Sequence, residues 1–306
     1  MIAIFSGPKP FAGHVGVIQD NAIASWRRLS DDVEVILVGD EPGIREAAER
    51  HAVRHLPEIA RTDEGTPRLD VMFDLVRRSA AHRLLCYVNA DVILMPDLLT
   101  CAAQVADRFA SFLIVGQRWD LEVRQRLSFD PGWEAALRSE VTQSGRRHRP
   151  TGSDYFVFPR DLFQAMPAFA LGRAGWDNWM IYHARLQGWP VVDASEAVTV
   201  IHQDHDYAHL PGGEPHYRLP ESRRNRELAG GRPTVFTLQD ADWVCSRGRL
   251  HRRPLQLRQL PRRAEVGVYL GLGPGKAARR ARLLMHPWAT IRSLWGQRGR
   301  EEDAGS

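Results

Sequence analysis

The chain has 306 residues but only three cysteines, Cys86, Cys101 and Cys245, and only two lysines among 41 basic residues, Lys9 and Lys276. Three scattered thiols form neither a disulfide framework nor a metal-module spacing, which points to reduced cysteines and a cytoplasmic setting. No apolar run approaches the ~20 residues needed to span a bilayer. The amino terminus enters strand-like Ile2-Ala3-Ile4-Phe5 at once, leaving no room for a signal peptide. A glycine-rich phosphate loop is also missing. In its place Ser6-Gly7-Pro8-Lys9-Pro10-Phe11-Ala12-Gly13 is interrupted by prolines. Repeats and long low-complexity tracts are absent. What remains, at 43% hydrophobic content, can bury a large core as one domain or as a domain with an appendage.

Charge is unevenly distributed. Residues 223–300 hold 18 Lys+Arg against 4 Asp+Glu, whereas residues 1–222 hold 23 against 30. The expected organisation is therefore a catalytic domain over 1–222 and a basic extension over 223–306. Within the extension, Lys276 to Trp295 mixes Arg279, Arg280 and Arg282 with Leu283, Leu284, Met285, Trp288, Ile291, Leu294 and Trp295. Such a segment suits an anionic membrane surface, or a helix packed on the domain with a solvated basic face. Nucleic acid is not expected, since no stacking module or groove-reading motif accompanies the charge.

Strand and helix signals alternate. Ile2–Phe5 reads as a strand, Val15–Leu29 as a helix, Val33–Val38 as a strand stopped at Gly39-Asp40, Ile44–His51 as a helix and Ala52–Leu56 as a brief strand. Thr66-Pro67 reads as an N-cap and first helical proline opening a helix to Arg78. Leu84–Val88 and Phe112–Val115 read as further strands. The alternation predicts an α/β fold with a mostly parallel sheet. Residues 120–150 break the pattern with one helix (Trp133 to Val141) and the basic stretch Ser144-Gly145-Arg146-Arg147-His148-Arg149-Pro150, a substrate loop or a plain surface insertion.

Candidate chemistry sits where apolar runs end. Leu84–Val88 leads into Asn89-Ala90-Asp91, and apolar Val92-Ile93-Leu94 follows. Open α/β sheets bind ligands at the carboxyl ends of their strands. A carboxylate there needs a cation or hydrogen bonds to offset desolvation, and a hard divalent ion would let it meet a diphosphate. A helix-capping Asp is the plainer alternative. Gly152-Ser153-Asp154 precedes an aromatic strand and a helix start at Asp161-Leu162-Phe163, able to wall a sugar site or simply to edge the core. Gly175-Trp176-Asp177-Asn178 brings Asp177 to the start of a helix, as an N-cap or as a general base. Val198–Ile201 delivers His202, with Gln203-Asp204-His205 close behind. Imidazole beside carboxylates favours Mn²⁺ over an all-oxygen Mg²⁺ site.

This order of motifs resembles the GT-A-fold nucleotide-sugar glycosyltransferases, in the style of the family 2-like enzymes. It covers about residues 1–210. The resemblance implies a Rossmann-like nucleotide-binding half over about 1–119 and an acceptor half over about 120–222. Asp40, ending the second strand, matches the Asp that contacts the nucleotide base. Asn89-Ala90-Asp91 stands where the family has its DxD motif, with the first carboxylate missing. Asp177 matches the later acidic position and His202 the downstream metal histidine. The implied donor site comprises Ser6, Pro8, Asp40, Arg68, Asn89 and Asp91. The implied acceptor side comprises Trp119, Asp120, Ser153, Asp154 and Trp176. Asp91 and His202 would hold Mn²⁺ or Mg²⁺, and Asp177 would be the base of an inverting transfer to a glycan or lipid-linked acceptor. A sugar-nucleotide nucleotidyltransferase and a non-catalytic nucleotide-sugar-binding protein stand as alternatives.

Overall fold

Every residue of the first strand, β1 (Ile2–Ser6), is buried. Ile2 and Ile4 enter one apolar cluster, Ala3 and Phe5 another. That two-residue alternation, apolar on both sides, is what a strand covered on both faces requires. The computed structural model describes residues 2–205 and 216–286. After β1 the chain forms α1 (Gly13–Arg27), β2 (Val33–Val38), α2 (Ile44–His51), β3 (Arg54–Leu56), α3 (Leu69–Ser79), β4 (Leu84–Val88) and β5 (Val92–Leu94). It continues through α4 (Asp97–Arg108), β6 (Leu113–Val115), β7 (Trp119–Leu121), α5 (Trp133–Ser144), β8 (Arg146–Arg147), β9 (Tyr155–Pro159), α6 (Trp176–Leu186), β10 (Val191–Asp193) and β11 (Val200–Gln203). Last come α7 (Pro220–Ala229), β12 (Trp243–Ser246), β13 (Arg249–Arg252), α8 (Leu260–Leu272) and α9 (Lys276–Met285).

The main sheet has the order β13-β12-β10-β6-β9-β4-β1-β2-β3. Neighbours are parallel from β3 through β4, and again from β6 through β12. β9 runs antiparallel between β4 and β6, and β13 runs antiparallel at the edge. Residues of α3 and α6 (Phe73, Val76, Trp179, Met180) fill the layer on one face. Trp26 of α1, Ala47 of α2 and Leu98 of α4 fill the other. The mostly parallel α/β sheet expected from the sequence is therefore present.

A second, smaller sheet has the order β5-β11-β7-β8. It forms because the chain leaves the main sheet after β4, turns through Asn89-Ala90-Asp91 and pairs β5 with β11. The irregular stretch after Trp119 supplies β7, α5 and β8, with Leu137 and Val141 of α5 packed beneath Ile93, Leu121 and Ile201.

Three local expectations need correction. Thr66 is not an N-cap: α3 starts at Leu69, its cap position is Arg68, and no side chain caps it. The Thr66 hydroxyl instead donates to Glu221 Oε2 at 2.7 Å, since a buried carboxylate is the stronger acceptor. No helix begins at Asp161-Leu162-Phe163 either. That segment turns, with Phe163 at φ +55° and its ring against Phe158 and Trp189. The third concerns the extension, whose proposed start at residue 223 falls inside α7. β12 pairs with β10 of the main sheet, and Val266, Tyr269 and Ala278 pack in the same cluster as Phe5 and Tyr87. Its arginines pair with acids near at hand: Arg253 with Asp193 at 2.5 Å, and Arg262 with Asp240 at 2.8 Å. Residues 223–286 thus complete the domain. Trp288, Ile291, Leu294 and Trp295 lie outside the described residues.

Candidate active site

Strand register builds the site. β5 lies antiparallel to β11 with Val92 opposite His202, and β11 lies parallel to β7 with His202 opposite Asp120. β8 then sets Arg146 opposite Asp120. One row across the small sheet therefore runs from the Asp91-Val92 corner through His202 and Asp120 to Arg146. Buried Gln203 locks the corner: its backbone N–H and its side-chain amide both donate to the Asp91 carbonyl, at 3.1 and 3.2 Å.

Asp91 is buried at the end of β4. Its Oδ2 lies 3.1 Å from His205 Nε2 and 3.2 Å from Lys9 Nζ, and its Oδ1 lies 3.9 Å from His202 Nε2. Burial alone would push this carboxyl up, but Lys9, His205 and His202 outweigh it and hold Asp91 well below the usual range. The opposite side of the His202 ring meets carboxylates, with Nδ1 at 3.5 Å from Asp120 and 3.6 Å from Asp204. Burial pulls the imidazole down, yet Asp120, Asp204 and Asp91 together raise it to about 9. Carboxylates at Nδ1 are the usual device for turning Nε2 toward a metal.

The ligand atoms of Asp91, His202 and His205 lie within 4.8 Å of one another, as do those of Asp120, His202 and Asp204. Asp91 Oδ1 is buried with no hydrogen-bond partner among the described residues, an orphaned acceptor that a cation would satisfy. One carboxylate and two imidazoles fit a divalent ion of the Mn²⁺ kind. His205 and Lys9 were not singled out as site residues in the sequence. The available signals were the His-x-x-His spacing from His202 and the lone lysine of the proline-rich loop.

Asn89, Asp154 and Arg118 form the adjoining wall. Asn89 Nδ2 donates to Asp154 Oδ1 at 2.7 Å, and Arg118 bridges Asp154 at 2.6 Å and Asp120 at 2.8 Å. Asn89 thus serves as a donor to a carboxylate that immediately precedes β9. Its Oδ1 accepts from Tyr87 at 2.9 Å, and Trp176 stands edge-on to Tyr87 at 5.0 Å. Burial, then the charges of Asp91, Asp154 and Asp177, push the Tyr87 hydroxyl up.

Asp177 is the second residue of α6 and only partly buried. Its Oδ1 accepts the Gly175 N–H at 3.2 Å. Gly175 sits at φ +112°, and a Cβ there would come within 3.0 Å of Arg226, so glycine suits the entry to this helix. Desolvation raises Asp177 to about 6, against the lowering pull of backbone hydrogen bonds and helped by the charge of Asp154.

The remaining predicted residues are placed as follows. Ser6 ends β1 with its hydroxyl buried and without a partner among the described residues, and Pro8 is buried beside Lys9. Asp40 is 62% exposed and paired with Arg61, at the rim of a hollow lined by Pro57, Ile59, Val71 and Leu75. Arg68 pairs with Asp70 at 2.6 Å. Trp119 lies under the Arg147 guanidinium at 5.6 Å, and half-buried Ser153 immediately precedes Asp154. Asp120, expected on the acceptor side, is committed to Arg118, His148 and His202.

No family model matches the chain, and no curated protein matches its sequence. Among solved structures, it is similar to S. aureus TarS 1–349 in complex with UDP-GlcNAc, at 12% identity over 75% of this chain and 65% of that one, with a TM-score of 0.49. The chain thus spans just under two thirds of that TarS fragment. It is also similar to glucosyl-3-phosphoglycerate synthase from Mycobacterium tuberculosis in complex with Mg²⁺ and UDP, at 15% identity over 84% and 88% with a TM-score of 0.46. The complex of that enzyme with Mn²⁺, UDP and phosphoglyceric acid gives 14% identity and a TM-score of 0.45.

Proposed function

We propose that the protein is a divalent-metal-dependent glycosyltransferase of the hexosyltransferase type. It would move a sugar from a nucleoside-diphosphate sugar, with uridine or guanosine as the expected nucleoside, to an acceptor hydroxyl with inversion. The observation that carries this reading is the cluster of buried Asp91 with half-buried His202 and His205, just past the carboxyl end of β4. A divalent ion, Mn²⁺ or Mg²⁺, held there supplies Lewis-acid charge for the leaving nucleoside diphosphate.

The chain's own residues do the rest. Asp177, raised to about 6, is ionised at neutral pH yet basic enough to take the proton of an acceptor hydroxyl. Asp120 and Asp204 face Nδ1 of His202 and orient the ring so that Nε2 is turned toward Asp91. Asn89 holds Asp154 and Tyr87 in place, and Trp176 with Ser153 and Trp119 line the acceptor approach. Ser6, Pro8 and Arg68 belong to the donor side, and Asp40 meets the base once it exchanges Arg61 for it. The acceptor is a glycan or a lipid-linked molecule. The basic, apolar carboxyl-terminal surface, where Leu284 is 82% exposed, would rest on an anionic cytoplasmic membrane face. No described helix is long and apolar enough to cross a membrane. The experiment is Mn²⁺-dependent release of nucleoside diphosphate from a panel of nucleotide sugars. Failure of every nucleotide to bind at millimolar concentration with Mn²⁺ would refute the reading.

A further inference from the structure

Lys9 sets its own charge against two of the groups assigned to the metal. Its Nζ lies 3.2 Å from Asp91 Oδ2 and 3.3 Å from His205 Nε2, two of the atoms assigned to the metal. The backbone beneath it is fixed. The Lys9 N–H donates to Gln19 Oε1 at 2.7 Å, and Gln19 Nε2 donates back to the Lys9 carbonyl at 2.9 Å. Gln19 is itself buried, and Pro8 and Pro10 restrict the chain on either side. The stem is therefore anchored at Cα while its four-carbon arm, 33% exposed, keeps rotational freedom. Arginine, used almost everywhere else in this chain, would present a planar fork in place of a compact mobile charge.

An ammonium and a divalent cation cannot share Asp91 Oδ2 and His205 Nε2. From this geometry we propose that Lys9 is a tethered competitor for the metal: it neutralises Asp91 until metal enters, and metal entry requires it to swing away. The inference rests on the metal assignment made above and adds an order to it. The displaced ammonium needs another anion, and the diphosphate of an incoming donor is one. Metal and nucleoside diphosphate then assist each other's binding, a reciprocal coupling between two ligands. If the ammonium holds the site about 90% of the time, apparent metal affinity falls about tenfold, because only the open fraction binds.

The test is a Mn²⁺ titration of wild type, Lys9→Gln, Lys9→Met and Lys9→Arg, with free Mn²⁺ measured by electron paramagnetic resonance, with and without uridine diphosphate. Lys9→Gln keeps a polar end, and Lys9→Met keeps an apolar stem if the glutamine variant folds poorly. Expected is Mn²⁺ binding about tenfold tighter in both uncharged variants than in wild type, with Lys9→Arg, which keeps the charge, binding more weakly than either uncharged variant. Uridine diphosphate should tighten Mn²⁺ binding more in wild type than in the uncharged variants. Equal Mn²⁺ affinity in wild type and uncharged variants, with uridine diphosphate still binding, would overturn the competitor role and leave the metal site standing. Absence of Mn²⁺ binding in every protein, with or without uridine diphosphate, would overturn both.

Discussion

Replacing Asp177 with asparagine should stabilise the protein while removing its chemistry. The carboxyl titrates at about 6 in the folded protein against an ordinary 3.8. Between those pH values the folded protein holds a proton that the unfolded chain has released. This group therefore favours folding at low pH and disfavours it once pH rises through about 6. A rise from 3.8 to about 6 corresponds to ~3 kcal/mol at about 1.4 kcal/mol per tenfold in acidity. The asparagine side chain would retain an oxygen to accept the Gly175 N–H, so the entry to α6 survives. Partial exposure of the carboxylate reduces the gain, leaving ~1–2 kcal/mol at pH 7. In thermal melts Asp177→Asn should unfold a few degrees above wild type at pH 7, and the two should converge near pH 4. Transfer should fall by ~10²–10⁴, as for loss of a general base. A mutant that melts below wild type at pH 7, or by a margin independent of pH, would show that Asp177 serves the helix end and not the reaction.

Two further outcomes follow from the geometry. Asp120→Asn removes the charge opposite His202 and should weaken Mn²⁺ binding by ~10–100-fold in a direct titration, as outer carboxylate partners of metal histidines do; an unchanged affinity would show that Asp204 alone orients the ring. Deleting residues 287–306, which leaves α9 with its buried Ala278 and exposed Leu284 intact, should weaken co-sedimentation with anionic vesicles. Wild-type binding to them should weaken steeply with salt, as screening lengths shrink from ~10 Å at 0.1 M to ~3 Å at 1 M. Undiminished vesicle binding by the truncated protein, or salt-insensitive binding by wild type, would contradict a role for the tail.

Asp91 and His202 stand out as candidates in the sequence because each follows an apolar run, and Asp177 because glycines and an aromatic lead it to the start of a helix, signals carried within a few residues. Their partners do not. Asp120 meets His202 only through the parallel pairing of β7 with β11, which depends on how distant segments align, so its place beside the histidine was not visible from its neighbours. Lys9 and Gln19 clamp each other across the turn into α1, and nothing local marks a lysine as the counter-charge of an aspartate one strand away. Thr66 read as a cap by residue type, but the Glu221 carboxylate, brought in by α7, took its hydroxyl. The charge asymmetry suggested an appendage after residue 222. Composition did not reveal that Trp243–Ser246 extends the main sheet, or that Val266 and Tyr269 are core.

The most direct test of the central claim is release of nucleoside diphosphate from a nucleotide-sugar panel, compared between wild type and Asp91→Asn with and without Mn²⁺. Asparagine keeps the shape of residue 91 and removes the charge that Lys9, His202 and His205 surround. Wild type should release diphosphate from at least one donor, faster with Mn²⁺, and Asp91→Asn should be slower by orders of magnitude while remaining folded. Release by folded Asp91→Asn at the wild-type rate, or no Mn²⁺-dependent release from any donor by wild type, would contradict the account.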